Sequence, residues 1–366
     1  RALEQKGISI NQQTELKKSL GLPAGIFQEF NGKQYVAHWS YRNQSGEIIG
    51  YTVRYESVTG EKEFCPFFKK NGDQWETGYS SKDNRPLYNL DKVSQAGEEE
   101  EVWIVEGEKC ADALTELGFV ATTSPGGSNA AIKADWTPLA GRRVVIWPDN
   151  DQAGKVYAAN VFRELEKVGE STLNVEQINV DELNLNEKED ICDWIKKGFE
   201  SKDILSLPRT PIADFTDLGV IVVEPSRLYY AMDKAEELLL KKKPYEIFQR
   251  GGLMVRIFNP KHEKRKSKDE SIKLINVRSG YLTDLLSREL TFVKSIKGEL
   301  IPIEPPEKIA GRYLQRAGHW KLNSLEGLIF APTLRPDGTV LECPGYDKES
   351  GIYYVDTKMK FFPLRK

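Results

Sequence analysis

Between residues 35 and 80 the apolar positions fall on alternate residues. In "YTVRYES", Tyr51, Val53 and Tyr55 share one face, and Thr52 and Arg54 the other. That period of two marks half-buried strands. "NQSG", "VTGE" and "KNGD" interrupt it at near-regular spacing as turns. The pattern predicts three or four antiparallel strands, closed by "RPLYNL" and followed by a solvated joint, "QAGEEEE". Upstream, Leu16, Leu20 and Leu22 suggest a helix that Pro23 stops.

From residue 102 the rhythm becomes strand–helix–strand. "VWIV" reads as a buried strand and "EKCADALTELG" as a helix ending at Gly118. "FVATTS" is a strand, and "PGGSNA" a glycine turn leading into a helix. "RRVVIWPDND" is a strand ending in acids, followed by the long amphipathic helix "QAGKVYAANVFRELEKVG". "NVEQINV" is a strand and "EDICDWIKKG" a short helix. Such alternation predicts a mostly parallel sheet covered by helices.

"SLPRTPIADFTDLG" (206–219) carries two prolines and reads as a linker. Beyond it, "SRLYYAMDKAEELLLKKK" and "PPEKIAGRYLQRAG" read as helices, and "YEIFQRGGLMVRIFN" as a hairpin. "NPKHEKRKSKDES" is a basic loop, and the segment from "APTL" to "IYYV" alternates turns with short strands. Three units are expected: a β-rich module over 1–96, an α/β core over 100–205, and an α+β domain over 215–366.

Composition narrows the class. Of 366 residues 39% are hydrophobic, and the net charge is −3, so the chain is globular and no general magnet for polyanions. Nucleic-acid binding would therefore need local basic faces. No apolar run suits a membrane span or a signal peptide. Starting at Arg1 without Met, the chain reads as a fragment or processed form. Four scattered cysteines with no CxxC, and three distant histidines, give no zinc pattern. A reducing cytoplasm is the simplest home. No GxxxxGK[ST] loop is present.

In a parallel sheet the carboxyl ends of the strands share one edge, where ligands bind. Glu106 ends one strand there, Asp149 and Asp151 end another, and Asp190 and Asp193 follow the last. Acids converging on one edge repel unless a cation joins them. Mg²⁺ takes one or two carboxylates and keeps positions for water and phosphate oxygens. An EF-hand starting at Asp149 is excluded, because Asn160 stands where its bidentate Glu belongs.

"VEGEKCADAL", "PGGSNA", "PDNDQAGKVYAANV" and "EDICDW", in that order, resemble the TOPRIM domain shared by primases, topoisomerases and some nucleases. The set is most similar to the primase parts of phage and plasmid primase–helicases. "RPLYNL" before it and "LRPDG…PGYD…GIYYV" after it resemble such proteins more loosely. The zinc ribbon with which these primases often begin is absent. The resemblance implies that Asp149 and Asp151 hold Mg²⁺ or Mn²⁺, that Glu106 is a general acid/base or completes the metal shell, and that Asp190 is a further metal-binding acid, with Asp193 its rival. Glu108 should face outward on the first helical turn. The implied reaction is synthesis of short RNA primers on single-stranded DNA from nucleoside triphosphates. A replicative helicase would lie beyond Lys366 as partner.

Simpler roles stand beside these. Asp151 and Asp190 suit helix N-caps. Gly126 and Gly127 would bare N–H groups to a nucleotide phosphate, or only make a turn. Lys109 and Lys155 would touch phosphates, or only sit on helix surfaces. Arg54 and Arg85, among the aromatics of "HWSYR", "YTVRY" and "NRPLY", would hold template by stacking and charge, or be solvated. A nuclease using the same acids, and a DNA-binding adaptor that loads a helicase without catalysis, are the alternatives.

Overall fold

The computed structural model describes residues 23, 25–69, 74–169, 174–183, 185–186, 189–241, 247–259 and 271–355. The helix expected around positions 16–22 and the basic run 261–268 lie outside the described residues. The chain divides into two compact units, one within 1–220 plus 295–301, the other within 221–294 plus 302–366.

The first unit opens with an antiparallel sheet in sequence order: β1 (Glu29–Phe30), β2 (Lys33–Arg42), β3 (Ile48–Glu56), β4 (Lys62–Lys69) and β5 (Trp75–Thr77). The alternation of β3 is real. Tyr51, Val53 and Tyr55 are buried with Ile26, Cys65 and Phe67 in a small core of their own. Tyr41 and Phe68 instead join the core of the sheet that follows.

That second sheet collects β6 (Val102–Val105), β7 (Val120–Thr122), β8 (Arg143–Trp147), β9 (Asn174–Ile178) and β10 (Arg209–Pro211), in the order β10-β9-β8-β6-β7. Strands β6 to β9 are parallel, and β10 is antiparallel to β9. All four residues of β6 are buried, as an unbroken apolar run at the centre of a covered sheet requires. Burying each aliphatic side chain there contributes about 1.5–3 kcal/mol relative to exposure. Helices α1 (Leu90–Gln95), α2 (Glu108–Glu116), α3 (Gln152–Val168), α4 (Ile191–Lys196) and α5 (Ser201–Leu205) belong to the same unit. Trp103, Trp147 and Trp194 anchor its core, with Trp147 and Trp194 edge-to-face at 5.5 Å.

Two local expectations change. The stretch 206–219 is not only a linker, because residues 209–211 form the edge strand β10. Pro211 is tolerated there because an edge strand need not donate on its outer side. Arg209 ties this edge inward through ion pairs with Glu101 at 3.0 Å and Glu176 at 3.4 Å. After the glycine pair, Ser128–Lys133 is a 3₁₀ turn rather than an α-helix.

The second unit is α+β. It contains β11 (Val220–Val222, of which Val220 groups with the first unit), α6 (Leu228–Lys241), and an antiparallel sheet of β12 (Ile247–Arg250), β13 (Leu253–Phe258) and β14 (Lys273–Asn276). Next come α7 (Ser279–Glu289), β15 (Thr291–Ile296), β16 (Glu299–Ile303) and α8 (Glu307–Leu314), with residues 295–301 of β15 and β16 and the turn between them grouping with the first unit. Short strands β17 (Gly327–Ile329), β18 (Thr333–Leu334), β19 (Val340–Leu341), β20 (Gly345–Asp347) and β21 (Ile352–Tyr354) complete it. Helices α6, α7 and α8 share one apolar core that includes Met232, Leu286 and Tyr313.

Candidate active site

Val105 at the end of β6 pairs directly with Trp147 at the end of β8. The chain therefore leaves both strands at one edge, with Glu106 and Asp149 emerging beside each other. After Glu106, Gly107 takes φ 85° and turns the chain into α2. Few side chains tolerate that value, which explains a glycine between strand and helix. After Asp149 the loop closes tightly. Asp151 donates its N–H to the Asp149 carbonyl at 2.8 Å, and its Oδ1 accepts the Gly154 N–H at 2.8 Å as the N-cap of α3. A Cβ on Gly154 would fall 2.4 Å from the Asp149 carbonyl oxygen and 2.7 Å from its nitrogen. The first turn of α3 is thus pressed onto the backbone that presents Asp149.

Asn150 carries the third strand end to the site. Its Nδ2 donates to the Leu185 and Asn186 carbonyls at 2.9 and 3.2 Å, and its N–H donates to the Glu189 carbonyl at 3.3 Å. Asp190 follows directly. It caps α4 through a reciprocal box with Asp193, and its Oδ2 lies 3.4 Å from Lys109 Nζ. Asp193 turns to Lys196 at 2.7 Å, which leaves Asp190 as the acid facing Asp149.

The electrostatics follow from this placement. Burial first, then Glu106, Asp190 and Asp151, push the Asp149 carboxyl up to about 8. Crowding acidic side chains around a half-buried carboxyl disfavours its charge, and a hard divalent cation relieves that cost. The donor set, carboxylates only, fits Mg²⁺ or Mn²⁺. The acids do not, as a set, close to within 4.8 Å of one another.

The glycine pair follows β7, which runs parallel beside β6. Gly126 and Gly127 have φ of 102° and 75°. Arg85 reaches this loop: a Cβ on Gly126 would lie 3.2 Å from Arg85 Nη1 and 3.2 Å from the Tyr79 hydroxyl. The Arg85 guanidinium lies over the Tyr79 ring at 4.0 Å, and Arg85 Nε donates to the Lys82 carbonyl. Two of the expected groups, an arginine and a glycine turn 41 positions apart in sequence, are thereby joined. The other basic residues are placed otherwise. Lys155 pairs with Asp181 at 3.6 Å, Lys109 with Asp190, and Arg54 with Glu56 on its own strand.

Tyr157 of α3 is a positioning residue that the sequence did not flag. Its buried hydroxyl donates to the Val105 carbonyl at 3.4 Å and accepts from the Ser124 N–H at 3.3 Å. It thereby pins the β6 end, next to Glu106, to the segment leading to Gly126. The Gly107 N–H adds a bond to Thr123 Oγ1 at 3.1 Å. Only its place in an amphipathic helix starting at the acids could have hinted at this.

Glu108 corrects the expectation that it faces outward. It is 8% exposed and accepts the Tyr41 hydroxyl at 2.8 Å. Burial pushes its carboxyl up, and the Tyr41 bond opposes that shift. The strand β2 covers this turn of α2, so a position that would be solvated on an isolated helix is enclosed. The cysteines also have a pattern after all, since Cys110 and Cys192 meet with their sulfurs 3.8 Å apart.

Comparison with known proteins returned no matching family model and no matching curated protein. Solved structures do overlap with it. One is a chain of the bacteriophage T7 lagging-strand DNA polymerase assembly with the primase domains of two gp4 subunits, bound to an RNA/DNA hybrid and dTTP. It overlaps 50% of this chain and 82% of its own, at 18% identity and TM-score 0.34. The Aquifex aeolicus primase (zinc-binding and RNA polymerase domains) overlaps 64% of this chain at 16% identity and TM-score 0.35. The present chain spans only 54% of that one. A DNA primase domain from Pseudomonas aeruginosa overlaps 66% of this chain and 74% of its own, at 17% identity and TM-score 0.37. Among the described residues no helix is long and apolar enough to cross a membrane.

Proposed function

We propose that this chain is a metal-dependent DNA primase of the TOPRIM type, making short RNA primers on single-stranded DNA. The observation that carries the proposal is the convergence of Glu106, Asp151 and Asp190 on a half-buried Asp149 at the carboxyl edge of a parallel sheet. Asp151 and Asp190 also accept backbone N–H groups as helix caps, but the carboxyl of Asp149 is crowded by the other acids.

Asp149 and Asp151 would hold Mg²⁺ or Mn²⁺, with Asp190 at the rim. When bound, the metal would offset negative charge on the α-phosphate as the primer's 3′ oxygen bonds to it and the α–β bond breaks to release pyrophosphate. Glu106, beside Asp149, accepts the proton of that hydroxyl. Arg85 and the N–H groups of Gly126 and Gly127 face the triphosphate, with Arg85 held in place by the Tyr79 ring. Tyr157 keeps this phosphate side and the Glu106 side in one register. Lys109 neutralises Asp190 until substrate arrives. The template is a single strand held by backbone contacts and stacking. A mobile element such as a phage or plasmid is the genetic setting that the sequence resemblance suggests, with a replicative helicase as partner.

The test uses single-stranded template, labelled ribonucleotides and Mg²⁺ or Mn²⁺. Labelled oligomers that require both metal and template are the expected product. Shortened template without oligomers would replace the proposal with a nuclease. Binding without either product would leave an adaptor.

A further inference from the structure

Cys110 sits on the first turn of α2, Cys192 on the first turn of α4, and Asp190 is the N-cap of α4. One ligand atom from each lies within 4.8 Å of the other two. The sulfurs are 3.8 Å apart. Two thiolates bound at about 2.3 Å to one tetrahedral zinc lie about 3.8 Å from each other. Both thiols are buried, and the Asp190 side chain retains 23% exposure, so a cation has a way in past the carboxylate. Asp190 Oδ1 accepts the Asp193 N–H at 3.0 Å, while Oδ2 is held only loosely by Lys109 at 3.4 Å. Lys109 is half exposed and can swing out to yield that oxygen.

We propose that Cys110, Cys192 and Asp190 form a binding site for a soft divalent cation of the zinc class, with water as fourth ligand. The site differs in chemistry from the acid edge. Two sulfurs select zinc, cobalt(II) or cadmium, while the all-oxygen acid edge selects magnesium or manganese. The two sites share Asp190. A soft ion held there draws that carboxylate away from Asp149 and from the hard-metal edge. If the chain is the primase proposed above, zinc is then an inhibitor of priming that magnesium does not relieve. Occupancy itself does not depend on that function.

Cobalt(II) titration of the reduced, full chain reads the site directly. One ion per chain is expected, with sulfur-to-cobalt charge-transfer absorption, displaced by zinc but not by millimolar magnesium. Cys110→Ser and Cys192→Ser should each reduce the charge-transfer band and weaken binding by at least the roughly 10–100-fold that even outer-shell changes cost. Asp190→Asn should weaken binding and keep the band, and Cys343→Ser should change nothing. Because a buried serine can disturb folding, alkylation of the wild-type protein gives a second measure. Zinc should protect Cys110 and Cys192, and leave exposed Cys343 reactive. Absence of the band, its survival in the double serine variant, or no protection by zinc overturns the proposal. So does an oxidant that joins the two sulfurs in a protein whose reduced form takes up no metal. Priming that stops with Asp149→Ala while cobalt still binds keeps this site separate from the catalytic one.

Discussion

Glu236 in the second unit is a buried carboxylate and Asp149 in the first a half-buried one, and they are held in opposite company. Glu236 Oε1 accepts the Tyr313 hydroxyl and the Lys321 N–H, each at 2.6 Å. Its burial is balanced by donors from α8 and the segment after it, so the fold completes it. Asp149 is surrounded by Glu106, Asp190 and Asp151, and its carboxyl rises to about 8. A carboxylate met by donors stabilises the fold; one met by other carboxylates is completed from outside the chain.

Substituting each residue tests that contrast. Asp149→Ala should lower primer synthesis at least about 1000-fold, or about 4 kcal/mol of transition-state stabilisation, with circular dichroism unchanged. Undiminished product would remove Asp149 from the chemistry. Glu236→Ala should do the reverse. It leaves a buried hydroxyl and a backbone N–H without acceptor, and should cost about 3 kcal/mol in urea denaturation of the second unit. A neutral outcome would show that its donors are satisfied without it.

The metal-free protein offers a subtler break. Asp149 rises from 3.8 unfolded to about 8 folded, so between those values the folded state keeps a proton that the unfolded state has released. Stability should therefore be greatest below about pH 4 as far as this group is concerned, and fall as pH rises toward 8. Asp149→Asn should remove that slope and gain on the order of 2 kcal/mol at pH 8, after allowing for solvent relaxation. Calorimetry with and without Mg²⁺ checks it, since the ion should flatten the wild-type slope as well. A wild-type slope no steeper than that of Asp149→Asn between pH 4 and 8 would mean that the acids are not crowded. The smallest effect concerns Glu108. Tyr41→Phe removes its donor and should cost about 1 kcal/mol, with little change in priming.

The sequence made the strand ends readable because two signals coincided there. The apolar runs of β6 and β8 are unbroken, and an acid follows each within two residues. The cap role of Asp151 was open from the same stretch, and the loop adopts it. What stayed hidden depended on residues far away. Glu108 is enclosed by Tyr41, 67 positions earlier, and no helical period reports a strand laid across that turn. Cys110 and Cys192 are 82 positions apart, beyond any spacing rule for metal ligands. Strand β10 was masked by prolines that an edge position tolerates. Helix α7 and the β15–β16 hairpin leave little trace in the sequence, because residues 279–303 mix short apolar runs with charges and carry no strong period.

Gly154 has a consequence for how this chain can vary. The gap between the start of α3 and the Asp149 backbone is narrower than one methyl group. Even alanine there would have to shift the peptide that aims the acid. A library randomised at position 154 and selected for primer synthesis should return glycine alone, while a library selected only for soluble expression should accept small residues too. The gap between the two results would measure how much of that tight fit serves chemistry rather than folding.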